Sequence, residues 1–206
     1  MEKLKVRITF TEELLGTMPN DKEIYENYIA TKAPNPEETA KEEVDAVGDV
    51  EVDAEEVDVD TSKVTVFPRT EDDKPFLYDY QIKGYFKETA SFLRKVKETA
   101  TSNIKAFKKE IDGLIFIAER KIILDTNGGE IGLCQRPLRA STPKGERVSL
   151  SCSETVPAGT TAEFTIECMV AEDIELVKEW LDYGKYHGTG QWRNSGKGRF
   201  IWEEIQ

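Results

Sequence analysis

Gly190, Gly196 and Gly198, with Trp192, Arg193, Lys197 and Arg199 set between and beside them, are the residues of this chain whose types and spacing best suit chemistry. Glycine lets a backbone turn through positive φ and approach a phosphate or a second backbone, while basic and aromatic side chains at such a turn suit nucleic acid. From Tyr183 to Trp202 the bases are Lys185, Arg193, Lys197 and Arg199, joined by His187, and no acid interrupts them. The plain alternative is a tight structural connection with Trp192 in the core, because glycine turns are common.

Charge is unevenly spread. The 206-residue chain carries a net charge of −12, and residues 37–60 alone hold twelve acids against one base, Lys41. Residues 61–206 hold twenty-two of each sign, so the body is neutral. Within it, Lys83 to Lys109 contains eight bases and two acids, Glu88 and Glu98. Two basic surfaces and an acidic insertion are therefore separable features. A charge row on a helix otherwise serves only to solvate that face.

Other chemistries lack their residues. Cys134, Cys152 and Cys168 are odd in number and too widely spaced for a zinc pair, which predicts reduced thiols in a cytoplasmic protein with no metal and no cofactor. No Ser/His/Asp set, P-loop or HExxH pattern is present. No apolar run of about 18 residues exists to span a membrane, and the first ten residues lack the apolar stretch of a signal peptide.

Elements must position the glycine segment. Leu4, Val6, Ile8 and Phe10 alternate as a strand, Thr11–Tyr28 has mixed helical character, and 33–60 reads as a solvated, mobile acidic insertion. Val64–Phe67 resumes order, and Tyr80–Glu110 has helical spacing throughout, stopped by Asp112-Gly113. Leu114–Ala118 and Lys121–Leu124 read as strands, 130–147 as a basic hairpin or loop, and Val148–Val156 and Thr161–Val170 as two strands across the Pro157-Ala-Gly159 turn. A helix at Glu172–Tyr183 ended by Gly184 and a strand at Arg199–Ile205 close the chain. The order predicts one α+β domain over 1–206, a ferredoxin-like (RRM-like) βαββαβ core with the acidic insertion and a hairpin insertion.

The short helix followed by Gly190, five residues, Gly196, one residue and Gly198 resembles the glycine-rich signature of repeat-associated mysterious proteins, the RAMP superfamily of CRISPR effector subunits. Tyr80–Lys87 is similar in place to the helix entrance of the backbone-forming members, and Pro157–Ile166 to the strand before their second helix. The Gln191–Asn194 insert resembles a form found in phage and prophage proteins.

The resemblance implies an RNA-binding, self-associating subunit of a multi-subunit ribonucleoprotein that grips a guide-like RNA through its sugar-phosphate backbone. Gly188, Gly190, Gly196 and Gly198 would bring amides near phosphates, Lys185, Arg193, Lys197 and Arg199 would neutralise them, and Trp192 or Tyr186 would stack on a base. Lys83 and Lys87, one turn apart, would sit at the neighbouring helix start. Some relatives are endoribonucleases with a histidine general base, which singles out His187, and others cut RNA with a loop aspartate, for which Asp45, Asp49 and Asp53 are undistinguished candidates. Binding without catalysis is the simpler expectation.

Two other classes fit the same sequence. The acidic insertion could mimic nucleic-acid charge and occupy a host defence protein, making a phage-encoded inhibitor, or the fold could polymerise head to tail without nucleic acid.

Overall fold

The computed structural model describes residues 1–20, 64–142 and 145–206, with the side chains of 138–149 excepted. The mobile acidic insertion expected over 33–60 lies outside these residues, as does Ile24–Ile29, part of the stretch where mixed helical character was expected.

The first strand, β1 (Glu2–Phe10), follows its alternation. Leu4, Val6, Ile8 and Phe10 point inward, each at most 2% exposed. A short β2 (Leu14–Leu15) and β3 (Met18–Pro19) follow, then β4 (Val64–Val66) and β5 (Phe76–Tyr78). Leu14-Leu15 is thus strand where the sequence suggested helical character, because both leucines bury in a pairing with residues far along the chain, a contact local periodicity does not encode.

The helical region divides into α1 (Asp79–Leu93) and α2 (Phe107–Leu114), with a 3₁₀ turn at Ala100–Asn103 between them. The single helix expected over Tyr80–Glu110 is therefore broken. Val96 is half exposed, Glu98 has φ 73°, and the Thr99 hydroxyl accepts the Ser102 N–H as a cap. The Glu179 carboxylate then accepts the Ala100 and Thr101 N–H groups at 2.9 and 3.0 Å, so a tertiary partner stabilises the break.

The chain continues through β6 (Ile115–Ile117), β7 (Lys121–Asp125), β8 (Gly132–Thr142), β9 (Gly145–Val156), β10 (Thr161–Cys168), α3 (Asp173–Asp182) and β11 (Phe200–Glu204). One sheet has the order β11-β1-β10-β7-β5, with β6 also on β10. All its pairings are antiparallel. The other sheet runs β2-β9-β4-β3, with β8 on β9. The two strands expected on either side of Pro157 both form, but they lie in different sheets. β9 pairs with β8 over a long hairpin, while Phe10 N–H donates to Thr160 O and Gly159 N–H to Phe10 O, which turns β10 onto β1.

Helices α1 and α3 cover one face of the larger sheet, where Phe86 lies 5.5 Å from Trp180 and the Tyr85 hydroxyl donates to the Trp180 carbonyl at 2.7 Å. The opposite face carries charge pairs across strands: Lys3 with Glu167 at 2.6 Å, and Arg7 with Glu163 at 2.6 Å and Glu203 at 3.0 Å. Exposed pairs of this kind add little stability but favour one register, since a one-residue slip would place like faces out of step. The architecture is mixed α+β. Among the described residues no helix is long and apolar enough to cross a membrane.

Candidate functional site

The segment between α3 and β11 is closed at its neck by backbone meeting backbone. A Cβ on Gly198, at φ +71°, would lie 2.0 Å from the Thr189 carbonyl oxygen, and one on Gly188 would lie 2.3 Å from that of Lys197. No side chain fits either gap. Thr189 N–H donates to Gly198 O at 3.0 Å, Gly198 N–H to Glu13 O at 2.8 Å, and Thr11 N–H to Arg199 O at 2.8 Å. The neck is thereby fastened to the chain just after β1. Lys197 Nζ adds an ion pair with Glu13 at 2.7 Å, and the hydrogen bond to that carboxylate raises its pKa.

Inside the neck, Gly190 packs on Leu14 and Gln191 reaches inward, its Nε2 donating to Gly16 O at 2.9 Å and to the Thr65 hydroxyl at 3.1 Å. The chain then turns outward at Trp192, which has φ 54° and ψ 35° and is 42% exposed. A bulky residue in the left-handed region is unusual and strained. Arg136, from β8, donates to Gln191 Oε1 at 2.8 Å and holds its guanidinium 5.1 Å from the Trp192 ring centre. The alternative that placed Trp192 in the core does not describe this ring.

A second cluster sits where the loop meets α1. Glu88 pairs with Arg193 and lies 3.4 Å from His187 Nε2. The imidazole packs edge-on against Phe92 at 5.3 Å, and its Nε2 is shielded from solvent. A base must reach the proton that it takes. His187 instead presents this nitrogen to a carboxylate inside the protein. Between the start of α1, β2 and the loop lies a cleft of about 250 Å³ whose lining includes Leu14, Gln81, Gly84, Tyr85, Gly190 and Arg193.

The sequence candidates thus divide. Arg193 and Lys197 are paired internally, and Gly188, Gly190 and Gly198 are packed. The amides of Thr189, Ser195, Gly196 and Gly198 are spent on the loop's own hydrogen bonds and on Glu13. Gly196, at φ +90°, faces the end of the Arg199 side chain. Lys185, Tyr186 and Arg199 are exposed, and neither Lys185 nor Arg199 forms an ion pair among the described residues; Lys185 lies over the Tyr186 ring at 5.0 Å. Lys83 and Lys87 are not brought to the loop. They occupy the flank of α1 that meets α2, Lys83 donating to the Asp112 carbonyl at 3.3 Å and Lys87 pairing with the Asp112 carboxylate at 2.5 Å. Burial lowers the Lys83 pKa. Asp45, Asp49 and Asp53 lie outside the described residues.

Sequence reasoning did not assign Arg136, Gln191, Glu88 or Glu13 to the site. Arg136 lies 55 residues from its partner Gln191, and only the two-residue alternation of the hairpin, which places every second side chain on one face, could have suggested it. The three cysteines are free, and Cys152 and Cys168 are buried. Burial pushes the Cys168 thiol up to about 11, which disfavours the reactive thiolate.

No protein-family model matches the chain. No curated protein matches it. Solved structures do resemble it. A chain of the Type III-B Cmr-beta complex, determined by cryo-EM bound to cognate target RNA, superposes with a TM-score of 0.52 at 12% identity, covering 99% of this chain. The present chain spans 58% of that chain's length. A chain of a Type IV-B CRISPR complex gives a TM-score of 0.49 at 10% identity, covering 99% of this chain and 90% of the other. The fold is accordingly similar to that of a chain in the Type III-B Cmr-beta complex.

Proposed function

We propose that this chain is an RNA-binding subunit of a multi-subunit CRISPR-type ribonucleoprotein and that it holds the RNA backbone without reading sequence. The observation that carries the reading is the ledge formed by Trp192 and Arg136. A half-exposed aromatic ring stands on strained backbone, a cation lies across it, and Arg199, which forms no ion pair among the described residues, follows seven residues later. Base stacking on an exposed aromatic beside cations is how single strands are bound with sequence tolerance. The likeness in fold to a chain from an RNA-bound effector complex supports the same reading.

In this mechanism Trp192 takes a base on its face, while Arg199 and Lys185 neutralise flanking phosphates. Arg193 and Lys197, tied to Glu88 and Glu13, hold the loop's shape. The glycines let the neck close so that Trp192 is carried outward. The strand order β11-β1-β10-β6/β7, with α1 and α3 on one face, is read as a ferredoxin-like core of the RAMP type. Binding requires no cleavage step. A host-directed inhibitor acting through 37–60 rests on residues outside the described ones.

The test is the binding of a fluorescein-labelled single-stranded RNA by anisotropy across a salt series. RNA bound at low salt and released at high salt is expected. Trp192→Ala should weaken binding by roughly tenfold, within the loss of about 1–3 kcal/mol that a stacked base contributes, and Arg199→Ala should make the salt slope shallower by roughly 0.7, the share of one single-strand phosphate contact. A wild-type protein that retains no RNA at low salt refutes the reading.

A further inference from the structure

A second cationic surface lies in the groove between the end of α1 and the start of α2, and none of its lining residues belongs to the glycine loop. Its lining includes Arg94, Lys95, Lys105, Lys108 and Lys109, with no acid among the lining residues, around an opening of about 510 Å³. All five are exposed, and none forms an ion pair among the described residues. This contrasts with Lys87, Arg193 and Lys197, whose charges are matched by Asp112, Glu88 and Glu13. Five like charges packed together repel one another, and here no acid of the lining relieves them.

The groove is also shaped. Its floor is Phe107, 5% exposed, with the Arg94 guanidinium 5.5 Å over the ring, so the cationic wall is held against a rigid base. Helix α2 begins in the same groove at Ala106, which has no side-chain oxygen to cap the first turn. A concave cluster of cations at an uncapped helix start is complementary to phosphate. Lysines act on phosphates as point charges without base recognition.

We infer that the α1–α2 groove is a second phosphate-backbone contact, which takes an RNA segment separate from the one on the Trp192 ledge. In choosing RNA as the polyanion, the inference rests on the function proposed above. Its location and residues do not. Two contacts built from different residues of one subunit would let it hold two stretches of RNA, or a longer stretch of one strand.

The test uses the full chain and the same labelled RNA. The variant Lys105→Ala/Lys108→Ala/Lys109→Ala leaves Arg94 on Phe107, and an unchanged thermal melt confirms the fold. The expected result is a salt slope shallower by about 2, from roughly 0.7 per lost single-strand phosphate contact, with affinity at moderate salt reduced at least about tenfold. Combination with Trp192→Ala should reduce binding further. Wild-type RNA binding with an unchanged slope in the triple variant overturns the groove and leaves the proposed function standing. Absence of wild-type binding at low salt instead overturns the proposed function and, with it, the choice of RNA. If poly-glutamate of matched charge competes as well as unlabelled RNA, and does so only when the three lysines are present, the groove is a protein contact and the RNA assignment fails.

Discussion

Replacing Gly198 by alanine tests whether the glycine neck is structural. The new Cβ would fall 2.0 Å from the Thr189 carbonyl oxygen and 3.0 Å from its carbonyl carbon, both backbone atoms with no rotamer to escape into. The φ of +71° adds a left-handed conformation that costs an alanine about 1 kcal/mol. Relief of the clash must open the neck, straining or breaking Thr189 N–H to Gly198 O and Gly198 N–H to Glu13 O. These bonds contribute about 1 kcal/mol each, and the overpacking another 1–3 kcal/mol. The expected loss is about 4–6 kcal/mol, a large share of the roughly 5–15 kcal/mol that holds a domain of this kind folded.

Gly196→Ala is the matched control. It has the same sign of φ, +90°, but its Cβ would meet only the flexible end of Arg199, at 3.3 Å. It should lose only the conformational term of about 1 kcal/mol. Urea titrations followed by far-ultraviolet circular dichroism give both values from the shift in midpoint at constant slope. Losses for the two variants within about 0.5 kcal/mol of each other would refute the steric reasoning, because φ alone would then account for both.

Trp192→Gly should stabilise the protein by about 0.5–1 kcal/mol, since it relieves left-handed strain at a half-exposed position, while weakening RNA binding; opposite signs in the melt and in anisotropy are the signature. Glu179→Gln should cost about 1–3 kcal/mol, because one carboxylate receives the Ala100 and Thr101 amides and the Thr101 hydroxyl, and amide exchange at 100–103 should rise before global unfolding. Burial raises the Glu154 pKa above 4.5 despite Arg69 beside it. The folded state then holds this proton more tightly than the unfolded chain, so the contribution to stability falls as pH rises from 4.5 through the folded pKa; Glu154→Gln should flatten that part of the stability–pH curve.

What was legible in the sequence was whatever a short period encodes. The alternation of Leu4, Val6, Ile8 and Phe10 marked β1, and Ile174, Val177, Trp180 and Leu181 marked α3, because each pattern is set by one buried face. The helix over 80–110 was overextended because Ile104, Phe107 and Ile111 continue an apolar spacing across a break that Glu179 stabilises from another element. The glycine spacing identified the loop, and the basic and aromatic residues were all visible. Their partners were not. Whether a cation is spent internally depends on Glu13, Glu88 or Asp112 arriving from distant segments, and that is a property of topology rather than of local spacing.

The place of β1 in its sheet has a consequence for how the chain is made. Both of its edges are filled, one by β10 and the other by β11, so its ladder partners begin at residue 161 and end at residue 204. On a ribosome β1 emerges well before its partners and must wait until residue 161 has been made before a single rung can form. Contacts of such separation make folding slow, and until they close, the apolar side of this strand is open to other chains. Synthesis of this protein therefore includes a long interval in which a holdase on the first ten residues would raise yield, and a truncation before Phe200 would leave β1 with one bare edge.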